Sequence, residues 1–360
     1  MKKILNELKK RFFLLPLAVS FIACENDKPA PDPEPFEPMS GGVFILNQGN
    51  WGLNNAGISF YDFETEEFYY DITNKSLGDI GQDMIAYGKK LYVSVSESGR
   101  ISIFDLKSGK HIKSIDLRNG EQVRQPRSMT SYNGKVYVST LDGNVVRIDT
   151  VSLTQDGITP VGPNPEGIAA VNGKLYVANS GGFLPDYVFN NTLSIVDIAG
   201  FREEKVLTVG LNPLFVHSDS YGNVFLSYRG NYSDVSAGFQ KIDTKTYTVS
   251  DISISANQDF VISGDSLYFY GVSYNADFST NNSFGIYNVK TNQLVTNKLI
   301  SDNTKINTPY GIGVNPMNKD VYISDTDYAN PGFVYIFGTD GKKKKMLAVG
   351  VNACKFVFID

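Results

Sequence analysis

From residue 41 onward, short apolar segments recur along the chain and are separated by turn-forming residues. The strongest are triplets of branched and aromatic residues at 43–45, 91–93, 136–138, 175–177, 224–226, 267–269 and 321–323. Their first residues are separated by 48, 45, 39, 49, 43 and 54 positions. Every triplet after the first follows a turn such as Asn133-Gly134-Lys135, in which Gly or Asn supplies the positive φ of a tight hairpin. The pattern therefore predicts repeated β-hairpins.

A further strand is predicted after the strand that contains each triplet, and it mostly ends in Asp or Asn. These strands cover residues 58–62, 101–105, 145–149, 193–197, 239–243, 284–288 and 334–337. Asp at such a position accepts hydrogen bonds from amides two or three residues later, which favours a structural role over a catalytic one. Four short strands in each of seven repeats predict an all-β, seven-bladed β-propeller with four-stranded antiparallel blades over residues 41–360.

The end of the chain predicts how the ring of blades closes. Residues 350–359 match the start of a blade, and no further blade follows them. We expect this last strand to complete the first blade beside residues 43–45, because it would pair an edge that is otherwise open.

The first forty residues have the composition of a targeting segment and a tether. Residues 1–23 combine a basic head with the apolar run 12–23, which indicates a secretory signal more than a transmembrane helix. Residues 21–24 resemble the bacterial lipobox, with Phe21 in place of the usual Leu, and the resemblance implies lipidation of Cys24. The alternative is an ordinary signal peptide followed by a chance Cys. Residues 24–40 alternate Pro with acidic residues and are expected to form an extended tether.

Composition narrows the classes of function. Two Cys and two His residues argue against a disulfide framework, a Cys-rich zinc site and His-dependent catalysis. A formal charge of −5 argues against a nucleic-acid partner, which requires a basic face. We expect no metal and no resident cofactor. The basic run 342–345 is expected to be a solvated turn beside an edge strand.

Blade four carries the clearest family resemblance. Residues 172–179, 191–197 and 209–213 resemble the YVTN repeat of YncE-like surface-layer propellers. Together with the lipobox and the tether, the chain resembles the BtuG-type surface lipoproteins that capture cobalamin (vitamin B12). Acidic residues after Cys24 also resemble the surface-export signal of Bacteroidetes-type lipoproteins. These resemblances imply a lipid-anchored outer-membrane protein that faces the cell exterior, binds a corrinoid without turning it over and passes it to a TonB-dependent transporter.

The candidate binding residues lie on one face of the predicted propeller. The loops that enter each innermost strand repeat an Asn-Pro-like pair, and the next residue varies in a way that suits recognition around the central channel. These variable residues are Met84, Arg127, Glu166, Leu214, Asp259, Tyr310 and Cys354. The loops between the second and third strands are rich in aromatics and amides, which suit an apolar corrin plate rimmed by amides.

We therefore assign ligand contact to six aromatic residues, namely Trp51, Tyr187, Tyr228, Tyr274, Tyr310 and Tyr328. Polar recognition is assigned to Asn50, Arg127, Asn231 and Asn275. Neither His111 nor His217 is expected to bind cobalt, and Cys354 is expected to be reduced.

Two other classes of function fit the same face. A glycan- or protein-binding module would use the same aromatics, and the choice of a corrinoid follows from the resemblance alone. A metal-dependent lactonase or lyase would need oxygen ligands such as Glu166, Asn212 and Asp259 to converge on one ion. The acidic pair Asp325 and Asp327 is a further calcium candidate, although such pairs are usually solvated.

Overall fold

The computed structural model describes residues 41–73, 77–184, 188–254, 258–274 and 280–360. They form seven four-stranded antiparallel sheets arranged as the blades of a β-propeller. This confirms the fold predicted from the repeat. The described ranges contain no helical segment with the length and hydropathy that a bilayer crossing requires.

Each blade is described from its innermost strand outward. Blade 1 consists of β30 (Ala353–Ile359), β1 (Gly42–Asn47), β2 (Gly57–Asp62) and β3 (Phe68–Tyr69). Blade 2 consists of β4 (Gly81–Tyr87), β5 (Lys90–Val95), β6 (Arg100–Asp105) and β7 (His111–Asp116). Blade 3 consists of β10 (Pro126–Tyr132), β11 (Lys135–Thr140), β12 (Asn144–Asp149) and β13 (Thr154–Pro160). Blade 4 consists of β14 (Pro165–Val171), β15 (Lys174–Asn179), β16 (Thr192–Asp197) and β17 (Arg202–Thr208).

The other three blades have the same order. Blade 5 consists of β18 (Pro213–Ser218), β19 (Val224–Tyr228), β20 (Gly238–Ile242) and β21 (Val249–Ile252). Blade 6 consists of β22 (Phe260–Ser263), β23 (Ser266–Tyr274), β24 (Thr280–Asn288) and β25 (Gln293–Thr296). Blade 7 consists of β26 (Pro309–Val314), β27 (Val321–Asp325), β28 (Pro331–Phe337) and β29 (Lys343–Val351). A small hairpin that the repeat did not predict, β8 (Arg118–Asn119) with β9 (Gln122–Val123), connects blades 2 and 3.

The C-terminal strand closes the ring. β30 is the innermost strand of blade 1 and pairs antiparallel with β1, so that Phe44 lies opposite Val357 and Ile45 opposite Phe356. The innermost strands contact their neighbours in the order β4, β10, β14, β18, β22, β26, β30 and back to β4. The predicted closure is thus confirmed, and blade 1 joins the two ends of the propeller without leaving an unpaired inner edge.

The hydrophobic core lies in layers between neighbouring blades. The central residues of three repeated triplets, Tyr92, Tyr137 and Tyr176, are among the largest fully buried side chains. Burial also raises the pKa of Tyr92 and of Tyr176 to about 12, because the charged form of the hydroxyl is disfavoured in the core. The repeated triplet therefore forms the core, which explains its regular recurrence in the sequence.

The Asp residues that end the third strands close turns, as the sequence predicted. Asp62 Oδ1 accepts the backbone N–H groups of Glu64 and Thr65, each at 2.9 Å. Asp243 Oδ1 does the same for Lys245 and Thr246, at 2.8 and 3.0 Å. These carboxylates replace backbone partners in tight turns and stabilise the blade edges.

The basic run 342–345 leads into and occupies the outermost strand of blade 7. Lys344 Nζ contacts Asp320 at 2.7 Å, and Lys345 Nζ contacts Glu66 at 2.5 Å. Lys342 Nζ also lies 3.8 Å from Asp340, so three of the four lysines form ion pairs, one of them with blade 1. Only Lys342 lies in the turn that was expected for the whole run, because the other three lysines belong to the edge strand itself.

Candidate functional site

A cavity of about 1140 Å³ opens at one end of the central channel, and we call it the ring cavity. Its wall includes residues of all seven blades, from the innermost strands and from the loops between second and third strands. Both classes of loop that the sequence assigned to one face therefore meet at this cavity.

The pairing of the innermost strand with the second strand defines, in each blade, one residue that faces the channel at the mouth of the ring cavity. Pro126, Pro165 and Pro309 occupy equivalent places opposite the last residues of β11, β15 and β27, and the inward residue follows each of them. The seven ring positions are Gln82, Arg127, Glu166, Leu214, Gln258, Tyr310 and Cys354, and all line the cavity.

This register corrects two of the seven positions expected from the sequence. Met84 lies opposite Val93, two residues deeper in the channel than Gln82. Asp259 likewise follows the ring residue Gln258 and precedes Phe260, which pairs with Phe269. The Asn-Pro-like pair is missing in blades 2 and 6, so aligning the loop sequences that enter the innermost strands gave the wrong register in these two blades.

Arg127 and Glu166 form an ion pair across two neighbouring ring positions. Arg127 Nε and Nη2 donate to the two Glu166 carboxylate oxygens at 2.8 and 3.1 Å, and Nη1 donates to Gln82 Oε1 at 2.9 Å. The guanidinium also lies 5.5 Å from the centre of the Phe183 ring. Arg127 is therefore in the cavity wall, as predicted for a recognition residue, but its charge is already matched by Glu166.

Deeper in the channel, acidic and basic groups have shifted pKa values. Lys355 Nζ lies 3.3 Å from Asp83 Oδ1. Burial opposes the charge of Lys355, but Asp83 and Asp259 raise its pKa above the ordinary value. Burial raises the pKa of Asp259 to about 7, against the smaller opposing effect of Lys355, so this carboxyl is partly protonated at neutral pH.

Two further titratable side chains of the channel, His217 and Cys354, are neutral. Burial lowers the pKa of His217 to about 3, and its ring packs edge-on to Phe260 at 4.9 Å. Burial raises the pKa of the Cys354 thiol well above its ordinary value. Cys354 is a free cysteine, and its Sγ lies 3.6 Å from the carbonyl oxygens of Leu46 and Gly81. Both side chains therefore have structural contacts that account for their positions.

Two of the predicted aromatic contacts form one side of the ring cavity. The Tyr310 and Tyr328 rings meet edge-on at 5.7 Å, and the Tyr310 hydroxyl donates to Gln48 Oε1 at 2.5 Å. Tyr328 is half-exposed, lines the cavity and has a left-handed φ of 65°. The pair presents two differently oriented aromatic surfaces to the cavity.

Asn50 and Trp51 lie on the rim, outside the cavity wall. Asn50 Nδ2 donates to the Ala329 carbonyl at 3.2 Å, and Asn50 Oδ1 accepts from Asn352 Nδ2 at 3.2 Å. Trp51 is 77% exposed. Asn50 thus connects the loop of blade 1 to blade 7, while the indole of Trp51 remains open to solvent.

Two other candidates have local structural roles. The Tyr228 ring fills the space beside Gly210 and Gly238, where a Cβ would lie 2.3 and 2.6 Å from its atoms. Asn231 Oδ1 accepts the N–H groups of Ser233 and Val235 at 3.0 and 2.9 Å. Neither residue lines the ring cavity. Tyr187, Asn275 and the side chain of Tyr274 lie outside the described residues.

The cavity wall also contains residues that the sequence did not single out. Phe183, Phe189, Arg229 and Tyr232 belong to loops that the sequence marked as aromatic-rich, and the Phe189 and Tyr232 rings meet at 5.7 Å across blades 4 and 5. The aromatic-rich composition of the loops indicated that these segments could bind a ligand. Which side chain of each loop faces the cavity depends on contacts with the next blade, which the sequence does not display.

Three of the acidic residues considered as metal ligands accept hydrogen bonds from the protein. Glu166 is committed to Arg127, and Asp325 accepts the N–H groups of Asn307 and Thr308 at 3.1 and 2.7 Å. Asp327 accepts N–H groups within its own turn. Across the ranges that the structure describes, no group of three or more His, Cys, Asp or Glu side chains could hold a metal ion.

Similar structures share the propeller fold at low sequence identity. Hydrazine synthase of Kuenenia stuttgartiensis has a TM-score of 0.61 and 15% identity, over 78% of this chain and 95% of that one. A protein from Lactobacillus plantarum has a TM-score of 0.59 and 14% identity, over 89% and 100% of the two chains. The computationally designed protein Ika8 has a TM-score of 0.54 and 11% identity, over 88% and 92%. These likenesses show the fold alone.

A search of the curated proteins gave no match. A family model, described as a domain of unknown function (DUF5074), matches residues 41–351, which span the propeller up to its last strand. The chain therefore belongs to the DUF5074 family.

Proposed function

We propose that this protein captures cobalamin or a related corrinoid in the ring cavity, holds it at the cell surface and passes it to an outer-membrane TonB-dependent transporter. The observation that carries the proposal is the combination of cavity size and lining. The cavity of about 1140 Å³ exceeds the ~300–1,000 Å³ of typical small-molecule pockets, and its wall combines aromatic rings with amide side chains.

The lining fits the chemistry of a corrin ring. A corrin is a flattened, largely apolar plate with amides around its edge, so it favours aromatic contact on its faces and amide partners at its rim. The ring cavity offers Tyr310 and Tyr328 on one side and Phe183, Phe189 and Tyr232 on another. Its amide side chains are those of Gln48, Gln82, Asn212 and Gln258.

The internal ion pairs also favour a ligand that is mostly neutral. Arg127 is paired with Glu166, and Lys355 lies beside Asp83. A ligand that covered these pairs would not leave one of their charges buried and unmatched, which is the costly outcome in a desolvated site. The same pairs define fixed polar edges that help to orient the ligand.

The N-terminal segment supports the proposed location. Lipidation of Cys24 would anchor the chain, and the 17 residues 24–40 would span roughly 50 Å if they were extended as polyproline. Such a tether would let the propeller move above the membrane and meet a transporter. Labelling with a radioactive fatty acid, compared between the wild type and Cys24→Ser, tests the anchor.

Calorimetry with the full chain in detergent tests the binding proposal. Cyanocobalamin should bind with measurable heat, a shift of its visible absorption bands and a stoichiometry of one. Tyr328→Ala should weaken binding several-fold, because an aromatic contact contributes about 1 kcal/mol. The control Tyr221→Ala removes an exposed tyrosine from the turn between β18 and β19, outside the cavity lining, and should leave binding unchanged.

The alternatives give different results in the same assay. Heat with an oligosaccharide panel and none with cyanocobalamin would replace the corrinoid by a glycan. Chelator-sensitive turnover of a lactone panel would establish an enzyme instead.

A further inference from the structure

The two arginines in the wall of the ring cavity differ in how their charge is matched. Arg127 makes three side-chain hydrogen bonds, two of them to the Glu166 carboxylate. Arg229 makes one, from Nη2 to Gln258 Oε1 at 3.0 Å. No carboxylate of the described residues lies within 4.0 Å of the Arg229 guanidinium. Arg229 is thus a cavity cation without an ion-pair partner in the described part of the chain.

Two further observations show donors at this point that no described protein group satisfies. The Nε atom of Arg229 is buried without a hydrogen-bond partner. Beside it lies Asn212, whose carbonyl accepts the Arg229 backbone N–H at 3.0 Å and whose residue is only 4% exposed. The Asn212 amide also lines the cavity and has no hydrogen bond within the described ranges. A buried donor such as Arg229 Nε is costly unless a partner is supplied, and the Asn212 amide is free to bond a group that enters the cavity.

The neighbouring acid does not cancel this charge. Asp259 interacts electrostatically with Arg229, but its carboxyl is buried and its pKa is raised to about 7. At neutral pH it is therefore neutral for part of the time, and its Oδ1 already accepts the Phe260 N–H at 2.7 Å. Lys355 adds a further positive charge that also interacts with Asp259.

We propose that Arg229 and the Asn212 amide form an anion-binding subsite that receives a phosphate-type group of the ligand. A guanidinium presents a planar fork of donors that matches phosphate oxygens, and each charge-assisted hydrogen bond is stronger than a neutral one. The assignment to a corrinoid rests on the proposed function: the matching group is the phosphodiester that joins the corrin ring to its nucleotide. The rest of the ring cavity then holds the corrin plate.

Two corrinoids and two substitutions test the subsite. Cyanocobalamin contains the phosphodiester, whereas dicyanocobinamide lacks the nucleotide with its phosphate. The wild type should prefer cyanocobalamin, and Arg229→Gln should weaken cyanocobalamin about tenfold to a hundredfold while it leaves dicyanocobinamide nearly unchanged. The control Arg118→Gln changes an exposed arginine of β8 and should alter neither affinity. An equal loss for both corrinoids in Arg229→Gln would overturn the subsite.

Inorganic phosphate separates this proposal from the corrinoid proposal. At low ionic strength, millimolar phosphate should raise the melting temperature of the wild-type full chain and not that of Arg229→Gln, because only a site in the folded state gains from the ligand. If phosphate stabilises only the wild type and neither corrinoid binds, the subsite stands and the corrinoid assignment fails. Equal stabilisation of both proteins, or of neither, would overturn the subsite.

Discussion

Replacing one carboxylate at the cavity mouth should destabilise the whole ring. Glu166→Gln keeps the side-chain volume but leaves the Arg127 guanidinium without a negative partner. The two side chains are 14% and 6% exposed, and they join the innermost strands of blades 3 and 4 through two hydrogen bonds. Breaking a fully buried pair costs about 3–5 kcal/mol and an exposed pair about 0–1 kcal/mol. For this partly desolvated pair we expect a loss of about 2 kcal/mol in the free energy of unfolding.

Urea unfolding followed by circular dichroism measures this loss against a matched control. Lys174 and Glu204 form a more exposed pair, with side chains 26% and 31% exposed, so Glu204→Gln should cost less than about 1 kcal/mol. The double variant Arg127→Gln/Glu166→Gln should recover most of the loss, because it removes both buried charges together. Equal losses for Glu166→Gln and Glu204→Gln would refute the view that burial gives the ring pair its importance.

Three further predictions follow from the channel. Gly167→Ala should destabilise the fold by about 1–3 kcal/mol in urea unfolding, because the added Cβ would lie 2.4 Å from a backbone oxygen of the neighbouring blade. The control Gly57→Ala should be nearly neutral, because its Cβ would meet nothing closer than 3.6 Å. Asp259 binds its proton more tightly in the folded protein, so the free energy of unfolding of the wild type should fall as pH rises from about 4 to about 7. Asp259→Asn should not show this fall when its free energy of unfolding is measured over the same pH series. Parallel pH profiles for the two proteins would contradict the prediction. Cys354 should resist iodoacetamide at pH 8 until the protein is unfolded, because burial raises the pKa of its thiol; rapid labelling of native protein, found by peptide mapping, would show otherwise.

The fold could be predicted because its signals are local and repeated. A triplet of core residues, a hairpin turn and a strand-ending Asp recur in each blade, so errors in one blade are corrected by the others. The closing strand β30 was equally visible, since residues 350–359 match a blade start that has no blade after it. Both the repeated blade and the closing strand can be read from the sequence without knowing which blades contact each other.

The candidate site was less predictable because it depends on contacts between blades. Tyr228 has the composition of a binding residue, yet Gly210 and Gly238 leave the space that its ring fills. Its neighbour Arg229 faces the ring cavity instead. In blade 6 the ring position is Gln258, one residue before the expected Asp259, and only the pairing of Phe260 with Phe269 fixes that register.

Locating the metal of a bound corrinoid tests the central claim most directly. Crystals of the protein grown with cyanocobalamin would give an anomalous scattering signal at the cobalt absorption edge. We predict a single cobalt peak inside the ring cavity, with the corrin plate against Tyr310 and Tyr328 and the phosphodiester at Arg229. A cobalt peak on the outer surface of a blade, or an empty ring cavity at saturating cyanocobalamin, would contradict the account.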